Sequence, residues 1–89
     1  MLKPAYTKQF HKDLKKVQKR GKKIEKLKQV IIQLVNEKPL ERRFREHQLI
    51  GNYKGRQECH IEPDWLLIYK TTKEEIIFER TGSHSDLFK

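Results

Sequence analysis

Three histidines in the second half of this 89-residue chain have the side-chain chemistry of acid–base catalysts. His47, His60 and His84 carry imidazoles, whose ordinary pKa of about 6.5 lets them take up or release a proton at neutral pH. RNA cleavage without a metal needs such a base for the ribose 2′-hydroxyl and such an acid for the departing 5′ oxygen. If these imidazoles converge, the sequence predicts a protein that cuts RNA. The fourth histidine, His11, lies among lysines and is expected at the surface.

Arginines and aromatic residues near the histidines in sequence could bind the RNA. Arg56 and Arg80 are predicted to stabilise the phosphate charge, because a guanidinium binds phosphate through two parallel hydrogen bonds. Trp65 and Phe88 are predicted to stack on bases. The alternative for Trp65 is a core position at the start of a central strand, and for Phe88 it is a frayed chain end. For the whole set, the alternative is a group of polar residues that only decorate the surface.

The same residues include possible ligands for a metal ion. The three histidines and Asp64 could bind zinc or manganese, but no two of them have the close spacing of a motif such as H-E-x-x-H. On a straight strand His60 and Asp64 would lie roughly 13 Å apart, and only the break at Pro63 could bring them together. The sequence therefore favours a site without a metal or another cofactor.

The first half of the chain predicts one short strand and two helices. Leu2–Tyr6 can form a strand, and Pro4 would place this strand at a sheet edge. Thr7 can cap a helix that ends at Gly21, and a second helix is predicted over 22–36. Together the helices form a hairpin. The predicted apolar stripes are Phe10, Leu14 and Val17 in the first helix and Ile24, Leu27, Ile31, Leu34 and Val35 in the second.

The second half predicts a charged loop over 40–52 and then three consecutive strands. These strands are expected over 53–62, 65–70 and 74–80, with a break at Pro63 and a tail that begins at Gly82. The order β-α-α-β-β-β predicts a single α+β domain, 1–89, in which the helical hairpin packs on one face of an antiparallel sheet. The opposite face would be partly open and would carry Arg56 and His60, which makes it the expected place for a ligand.

Charge is unevenly distributed along the chain. The formal net charge is +9, and residues 1–38 hold twelve Lys and Arg against three Asp and Glu, whereas residues 39–89 hold nine of each. A surface this basic suits a polyanion, either nucleic acid or an acidic protein segment, although a solvated pair of lysine-rich helices is the alternative. Cys59 is the single cysteine and excludes an internal disulfide. No signal peptide or membrane span is recognisable, which predicts a cytoplasmic location.

Three sequence runs resemble a known family of toxins. These runs are E-H-Q-L-I-G at 46–51, E-C-H-I-E-P-D-W-L-L-I-Y at 58–69 and E-R-T-G-S-H-S-D-L-F at 79–88. They are similar to the YafQ-like branch of the RelE superfamily, which contains toxins of type II toxin–antitoxin systems, and the resemblance covers nearly the whole chain. It implies a RelE-like fold and a ribosome-dependent mRNA endonuclease that needs no metal and is neutralised by an antitoxin.

The resemblance also implies roles for individual residues and partners. The catalytic set would be His47, His60, Asp64 and His84, with Arg80, Trp65 and Phe88 supporting or contacting the RNA. The partners would be mRNA, the ribosome and a cognate antitoxin, with operator DNA bound only through the toxin–antitoxin complex and no membrane. Cys59 and Tyr53 depart from the family pattern, which has Ala and Trp there. The alternative function is a basic RNA-binding module without activity, or the partner subunit of a DNA-binding repressor complex.

Overall fold

The computed structural model describes residues 1–88 as one five-stranded sheet with three helices. Two short 3₁₀ turns, Arg42–Phe44 and Gly51–Tyr53, follow the helices. The second turn includes Tyr53, so the strand expected over 53–62 begins only at Gln57. The elements are β1 (Lys3–Tyr6), α1 (Lys8–Lys19), α2 (Ile24–Val35), β2 (His47–Gln48), β3 (Gln57–Glu62), β4 (Trp65–Thr71), β5 (Glu75–Gly82) and α3 (His84–Leu87).

The strand order is β1-β5-β4-β3-β2, so the strand that is apolar on both faces, β4, lies in the centre as predicted. Strands β2 to β5 are antiparallel to their neighbours. The expectation of a wholly antiparallel sheet is corrected at one edge, where β1 pairs with β5 in parallel. This pairing is possible because the helices and the other strands separate β1 from β5, and parallel strands need a long connection.

Local sequence signals account for the helical hairpin. The Thr7 side chain accepts a hydrogen bond from the Phe10 backbone N–H and caps α1, as predicted. Gly21 has φ +81°, which lets the chain turn after α1. In α2 the fully buried residues are Leu27, Val30 and Leu34, so the buried stripe includes Val30, which the prediction omitted, while Ile31 is only half-buried.

The sheet has an apolar core on each face. The larger core lies between the helical hairpin and the sheet, and a smaller one on the opposite face consists of Leu66, Ile68 and Leu87, with Leu49 and Tyr53 packed against them. This second core corrects the prediction of an open face. Because β4 is apolar on both faces, the loop before β3 and the C-terminal residues cover its second face.

The expected tail is instead a short helix, α3, held by Asp86. A capping box joins Ser83 and Asp86, and the Asp86 carboxylate also binds Arg20 and Lys16 of the first helix region. The hydrogen bond from Arg20 is the main cause that lowers the pKa of Asp86 far below its ordinary range. A Cβ on Gly82 would lie 2.9 Å from Asp86 Oδ2, so the close approach of the backbone at residue 82 to the Asp86 side chain requires glycine. These contacts fix α3, which begins with His84.

No helix within residues 1–88 is both long and apolar enough to cross a lipid bilayer.

Candidate active site

The three histidines predicted to act together lie side by side in the folded chain. The ring centroids of His47 and His60 are 6.2 Å apart, and those of His60 and His84 are 6.1 Å apart. The series continues with Phe88, 5.6 Å from His84, and Tyr53, 5.5 Å from Phe88. Strand β2, strand β3 and helix α3 each contribute one imidazole. Residues far apart in sequence thus form one line of rings on the side of the sheet opposite the helices.

Glu58 joins two of these histidines and was missed by the sequence analysis. Its Oε1 lies 3.2 Å from His60 Nε2 and 3.5 Å from His47 Nε2, and only 3% of the residue is exposed. A carboxylate buried to this extent needs hydrogen-bonded partners. The strand alternation did place Glu58 on the same face as His60, but nothing in the sequence predicted that it would be paired with His47 across β2 and β3.

The second nitrogen of each of these two rings also faces an acceptor. His47 Nδ1 lies 2.7 Å from the Arg45 carbonyl oxygen, and His60 Nδ1 lies 3.3 Å from the Pro63 carbonyl oxygen. Each imidazole therefore lies between a carbonyl and the Glu58 carboxylate. These contacts on both sides fix the orientation of the two rings.

The short strand that carries His47 is held in place by a hydrogen bond from the central strand, β4. The buried Tyr69 hydroxyl donates a hydrogen bond to the Glu46 carboxylate, next to His47 in sequence. Burial raises the pKa of the Tyr69 hydroxyl, and the bond to Glu46 raises this pKa further, so the hydroxyl remains protonated. Arg45 has φ +47°, in the left-handed region that costs about 1–2 kcal/mol for a residue with a side chain. Its N–H bonds to the Arg42 carbonyl and its own carbonyl faces His47, so this conformation helps to orient the imidazole.

Asp64 lies beside the third histidine, His84. Its Oδ1 accepts a hydrogen bond of 3.0 Å from the His84 backbone N–H and lies 3.5 Å from His84 Nδ1. The turn at Pro63 makes this contact possible, since it reverses the chain between β3 and β4. The His84 side chain is 59% exposed, so it is more open to solvent than His60. His84 is therefore the imidazole most accessible to a ligand.

Arg80 is held by a buried aspartate that the sequence analysis did not identify. Its Nε and Nη2 donate to the two oxygens of Asp13 at 2.7 and 3.2 Å, and Asp13 also accepts from the Thr81 backbone N–H. The Asp13 hydrogen bonds are the largest cause that raises the pKa of Arg80 above its ordinary value. In the sheet, Glu58 of β3 lies opposite Ile68 of β4, and Ile68 lies opposite Arg80 of β5. The backbones of Arg80 and Glu58 are therefore two strands apart, which is roughly 10 Å at ordinary strand spacing.

The other three residues predicted to contact RNA differ in how available they are. Arg56 precedes β3 and donates from Nε to Glu79 at 2.9 Å, so its charge is largely compensated. Trp65 is 1% exposed and donates from Nε1 to Thr81, which corrects the stacking prediction and confirms the alternative of a core position. A ring without an exposed face cannot stack on a base. Phe88 is 40% exposed and packs against Tyr53, so its ring is available at the end of the line of histidines.

Comparison with known proteins identifies the family of this chain. The sequence profile of the family described as the bacterial toxin of type II toxin–antitoxin system, YafQ, matches residues 2–89. This chain belongs to the YafQ family. The mRNA interferase toxin YafQ of Escherichia coli strain K12 is 46% identical to it over 84 residues, which make up 93% of this chain and 91% of the relative.

Solved structures of YafQ relatives have the same fold. In the crystal structure of the E. coli DinJ–YafQ complex, the matching chain is 43% identical, with a TM-score of 0.93 and 100% of both chains covered. A metal-bound toxin from Helicobacter pylori is 41% identical, with a TM-score of 0.91 over 99% of this chain and 100% of that one. The predicted RelE-like α+β fold is therefore confirmed.

The metal in the Helicobacter toxin raises the question of whether this YafQ-family chain has a matching set of ligands. Within residues 1–88, no group of three or more His, Cys, Asp and Glu side chains is arranged to hold a metal ion. The imidazoles of His47 and His60 instead lie within 3.5 Å of Glu58 and make hydrogen bonds to backbone carbonyls. The residues present do not fit a metal centre in this arrangement.

Proposed function

We infer that this chain is the mRNA-cleaving toxin of a type II toxin–antitoxin pair and that its line of histidines is the active site. The observation that carries the proposal is the contact of three imidazoles, from β2, β3 and α3, with two carboxylates beside them. General acid–base catalysis by positioned histidines contributes about 10²–10⁴-fold to a rate. Family membership and the name of the E. coli relative, an mRNA interferase, support the choice of mRNA as substrate.

In the proposed reaction the 2′-hydroxyl oxygen attacks the adjacent phosphorus and the bond to the 5′ oxygen breaks, which leaves a 2′,3′-cyclic phosphate. His84, oriented by Asp64, takes the proton from the 2′-hydroxyl, because it is the most exposed of the three imidazoles. The pair formed by His47 and His60 supplies the opposite role. Glu58 contacts both rings of the pair, which donates a proton to the leaving oxygen and stabilises the phosphate charge.

The openness of this site supports the proposal that cleavage depends on the ribosome. The side chains of His47 and His84 are 49% and 59% exposed, so the site does not enclose its substrate. An open site gains little from its own hold on a flexible RNA, whereas an RNA already fixed in geometry removes much of the entropic barrier. We propose that the ribosome provides this fixed geometry. The cytoplasmic location predicted from the sequence agrees with such a substrate.

The proposed partner is an acidic antitoxin that binds the lysine-rich helices. A complex with DinJ is known for the E. coli relative, and its existence supports a cognate antitoxin here. Contact with operator DNA would occur only through the toxin–antitoxin complex. In this proposal the antitoxin neutralises the basic surface that would otherwise approach RNA.

Expression of the chain alone in bacteria, with mapping of mRNA 5′ ends, tests the proposed function. Wild-type protein is expected to arrest growth and to create new 5′ ends, and His84→Ala is expected to reduce cleavage by at least about 10²-fold. The matched control is His11→Ala, which removes an exposed imidazole outside the active site. It should cleave at the wild-type rate.

Two further experiments test the need for the ribosome and the need for a metal ion separately. Purified protein should cut message on programmed ribosomes far faster than the same RNA free in solution, and cleavage should persist in a chelator. Wild-type cleavage by His84→Ala would remove this histidine from the mechanism. Loss of activity in chelator would show that a metal takes part, and equal rates with and without ribosomes would overturn ribosome dependence.

A further inference from the structure

A basic cleft opens next to the active site, on the side away from α3. It has a volume of about 520 Å³ and lies between α2, the turn Arg42–Phe44 and the end of β3. This volume is within the range of about 300–1,000 Å³ that is usual for ligand sites. His60 belongs both to the wall of the cleft and to the line of histidines. An RNA strand that passes over the histidines would therefore continue into this cleft.

The charge of the cleft suits phosphate. Its walls contain three cations, Lys26, Arg43 and Arg45, and one carboxylate, Glu62. Glu62 is already bound by Lys22 at 2.9 Å and by Lys26 at 2.8 Å. Hydrogen bonds from these lysines lower the pKa of Glu62, and the bond from Lys26 has the largest effect. The carboxylate thus remains ionised within its own ion pairs, and the two arginines supply the excess positive charge.

The two arginines of the cleft are held less tightly than Arg56 and Arg80, which have carboxylate partners at 2.9 and 2.7 Å. Arg43 has one ion-pair neighbour, Glu41 at 3.4 Å, and both side chains are exposed. Arg45 has no ion-pair partner among the described residues 1–88, and its backbone is fixed by the bonds that orient His47. Phe44 lies between them as part of the wall, with its ring 4.8 Å below the Arg43 guanidinium. A rigid turn thus presents two guanidinium groups beside an apolar surface.

We propose that this cleft binds the nucleotide next to the scissile phosphate, with its phosphate group between Arg43 and Arg45. The inference rests on the proposed function in one respect, which is that the histidines receive the scissile phosphate. The binding itself requires no cleavage. The arginines would set the register of the RNA over the imidazoles, while the apolar wall formed by Phe44 and Ile61 would contact the base or the sugar.

Binding of an uncleavable RNA to the full chain tests the cleft directly. The probe is a short single-stranded RNA with 2′-O-methyl groups, and binding is followed by fluorescence anisotropy across a series of salt concentrations. Arg43→Gln and Arg45→Gln should each weaken binding on the order of tenfold at low salt. Each should also reduce the slope of log K against log salt by about 0.7, the value for one contact with a single-stranded backbone.

Two matched variants decide between a specific cleft and general attraction by charge. Arg42→Gln removes the same charge from the same turn, and Lys28→Gln removes a charge from the same helix as Lys26, but neither residue lines the cleft. Both should bind RNA within about twofold of the parent chain. Equal losses in Arg42→Gln and Arg43→Gln would overturn the proposal, and so would failure of the parent chain to bind the RNA.

Cleavage assays keep the failure of this inference distinct from failure of the proposed function. On programmed ribosomes, Arg43→Gln and Arg45→Gln should raise KM and leave kcat within about threefold. If ribosomal cleavage is absent but the two variants still differ from their controls in RNA binding, the cleft stands and the catalytic proposal fails. If cleavage occurs and all four variants bind RNA alike, the cleft proposal fails alone.

Discussion

Glu58 is the residue on which two of the three imidazoles depend. It is buried, it touches both His47 and His60, and the Arg45 and Pro63 carbonyls face the other nitrogens of these rings. One carboxylate thus contacts both imidazoles. Since the pair is proposed to act as acid and phosphate binder, removal of this carboxylate should affect catalysis more than folding.

Replacement of Glu58 by Gln tests this role, because the amide keeps the shape and removes the charge. Cleavage on ribosomes should fall on the order of 10²-fold. The loss should lie in kcat, with KM within about threefold of wild type, because Glu58 is buried and contacts the imidazoles rather than the RNA. The measurement is the rate of ribosomal cleavage over a range of message concentrations for wild type and Glu58→Gln, with thermal unfolding as a check of the fold.

Glu75→Gln is a suitable control, because Glu75 is an exposed residue of β5 that makes no side-chain contact with the histidines. It should keep the wild-type kcat and KM. A wild-type kcat in Glu58→Gln, or a loss that matches the loss of folded protein, would contradict a role through the imidazoles.

At the scale of single residues, the sequence predicted which residues lie together in the candidate site but not which residues hold them. The imidazoles were recognisable because of their residue type, and Asp64 because of its motif. Glu58 and Asp13 were not, since twelve acidic residues are spread along the chain and burial depends on packing of distant segments. Trp65 was ambiguous for the same reason, and only its buried bond to Thr81 decided for the core.

The elements that position the site are the smallest in the fold. Strand β2 has two residues and α3 has four, yet they carry His47 and His84. Periodicity predicted the long helices and the central strand, because apolar stripes repeat over several turns or residues. Elements of two to four residues have no period to detect, and the parallel pairing of β1 depends on a partner 72 residues away. Tertiary contacts, chiefly those of Glu46 and Asp86, hold these short elements.

Asp86→Asn tests whether such contacts hold α3. The variant should lose the ion pairs with Arg20 and Lys16 and part of the capping box, at a cost of about 1 kcal/mol in the free energy of unfolding. Cleavage should fall as well, because α3 carries His84. Urea unfolding of wild type and variant, at several pH values, gives the difference in stability.

The difference in free energy of unfolding between wild type and Asp86→Asn should depend on pH, with a definite sign. The pKa of Asp86 is lower in the folded chain than in the unfolded one, mainly through the Arg20 hydrogen bond. Its contribution is therefore complete above the unfolded value of about 3.9 and is lost as pH falls through the folded value. A difference between wild type and Asp86→Asn that grows on acidification would contradict this account.

Across the whole molecule, the excess positive charge and the histidines come from different halves of the chain. Residues 1–38 carry twelve basic and three acidic side chains, while the histidines of the candidate site come from the balanced half. The two halves meet in the fold, because Lys16 and Arg20 bind Asp86 of α3 and Lys26 lines the cleft beside His60. The lysine-rich helices are the surface to which we expect an acidic antitoxin to be attracted.

This excess charge predicts the salt dependence of antitoxin binding. Because opposite charges guide the encounter, the association rate of toxin with its acidic antitoxin should fall by at least about tenfold between low and physiological salt. Stopped-flow mixing of the purified partners measures this rate. His84→Ala provides the control, since it should associate at the wild-type rate. An association rate indifferent to salt would contradict electrostatic attraction.

The position of α3 after the last strand of the sheet has a consequence for loss-of-function variants. A stop codon directly after the codon for Gly82 would leave all five strands, the helical hairpin and the larger core, while His84 and Phe88 would be absent. The shortened product would still present the lysine-rich surface. It would thus act as a decoy that occupies antitoxin without cutting message, and in a cell with both forms it would release the intact enzyme from inhibition.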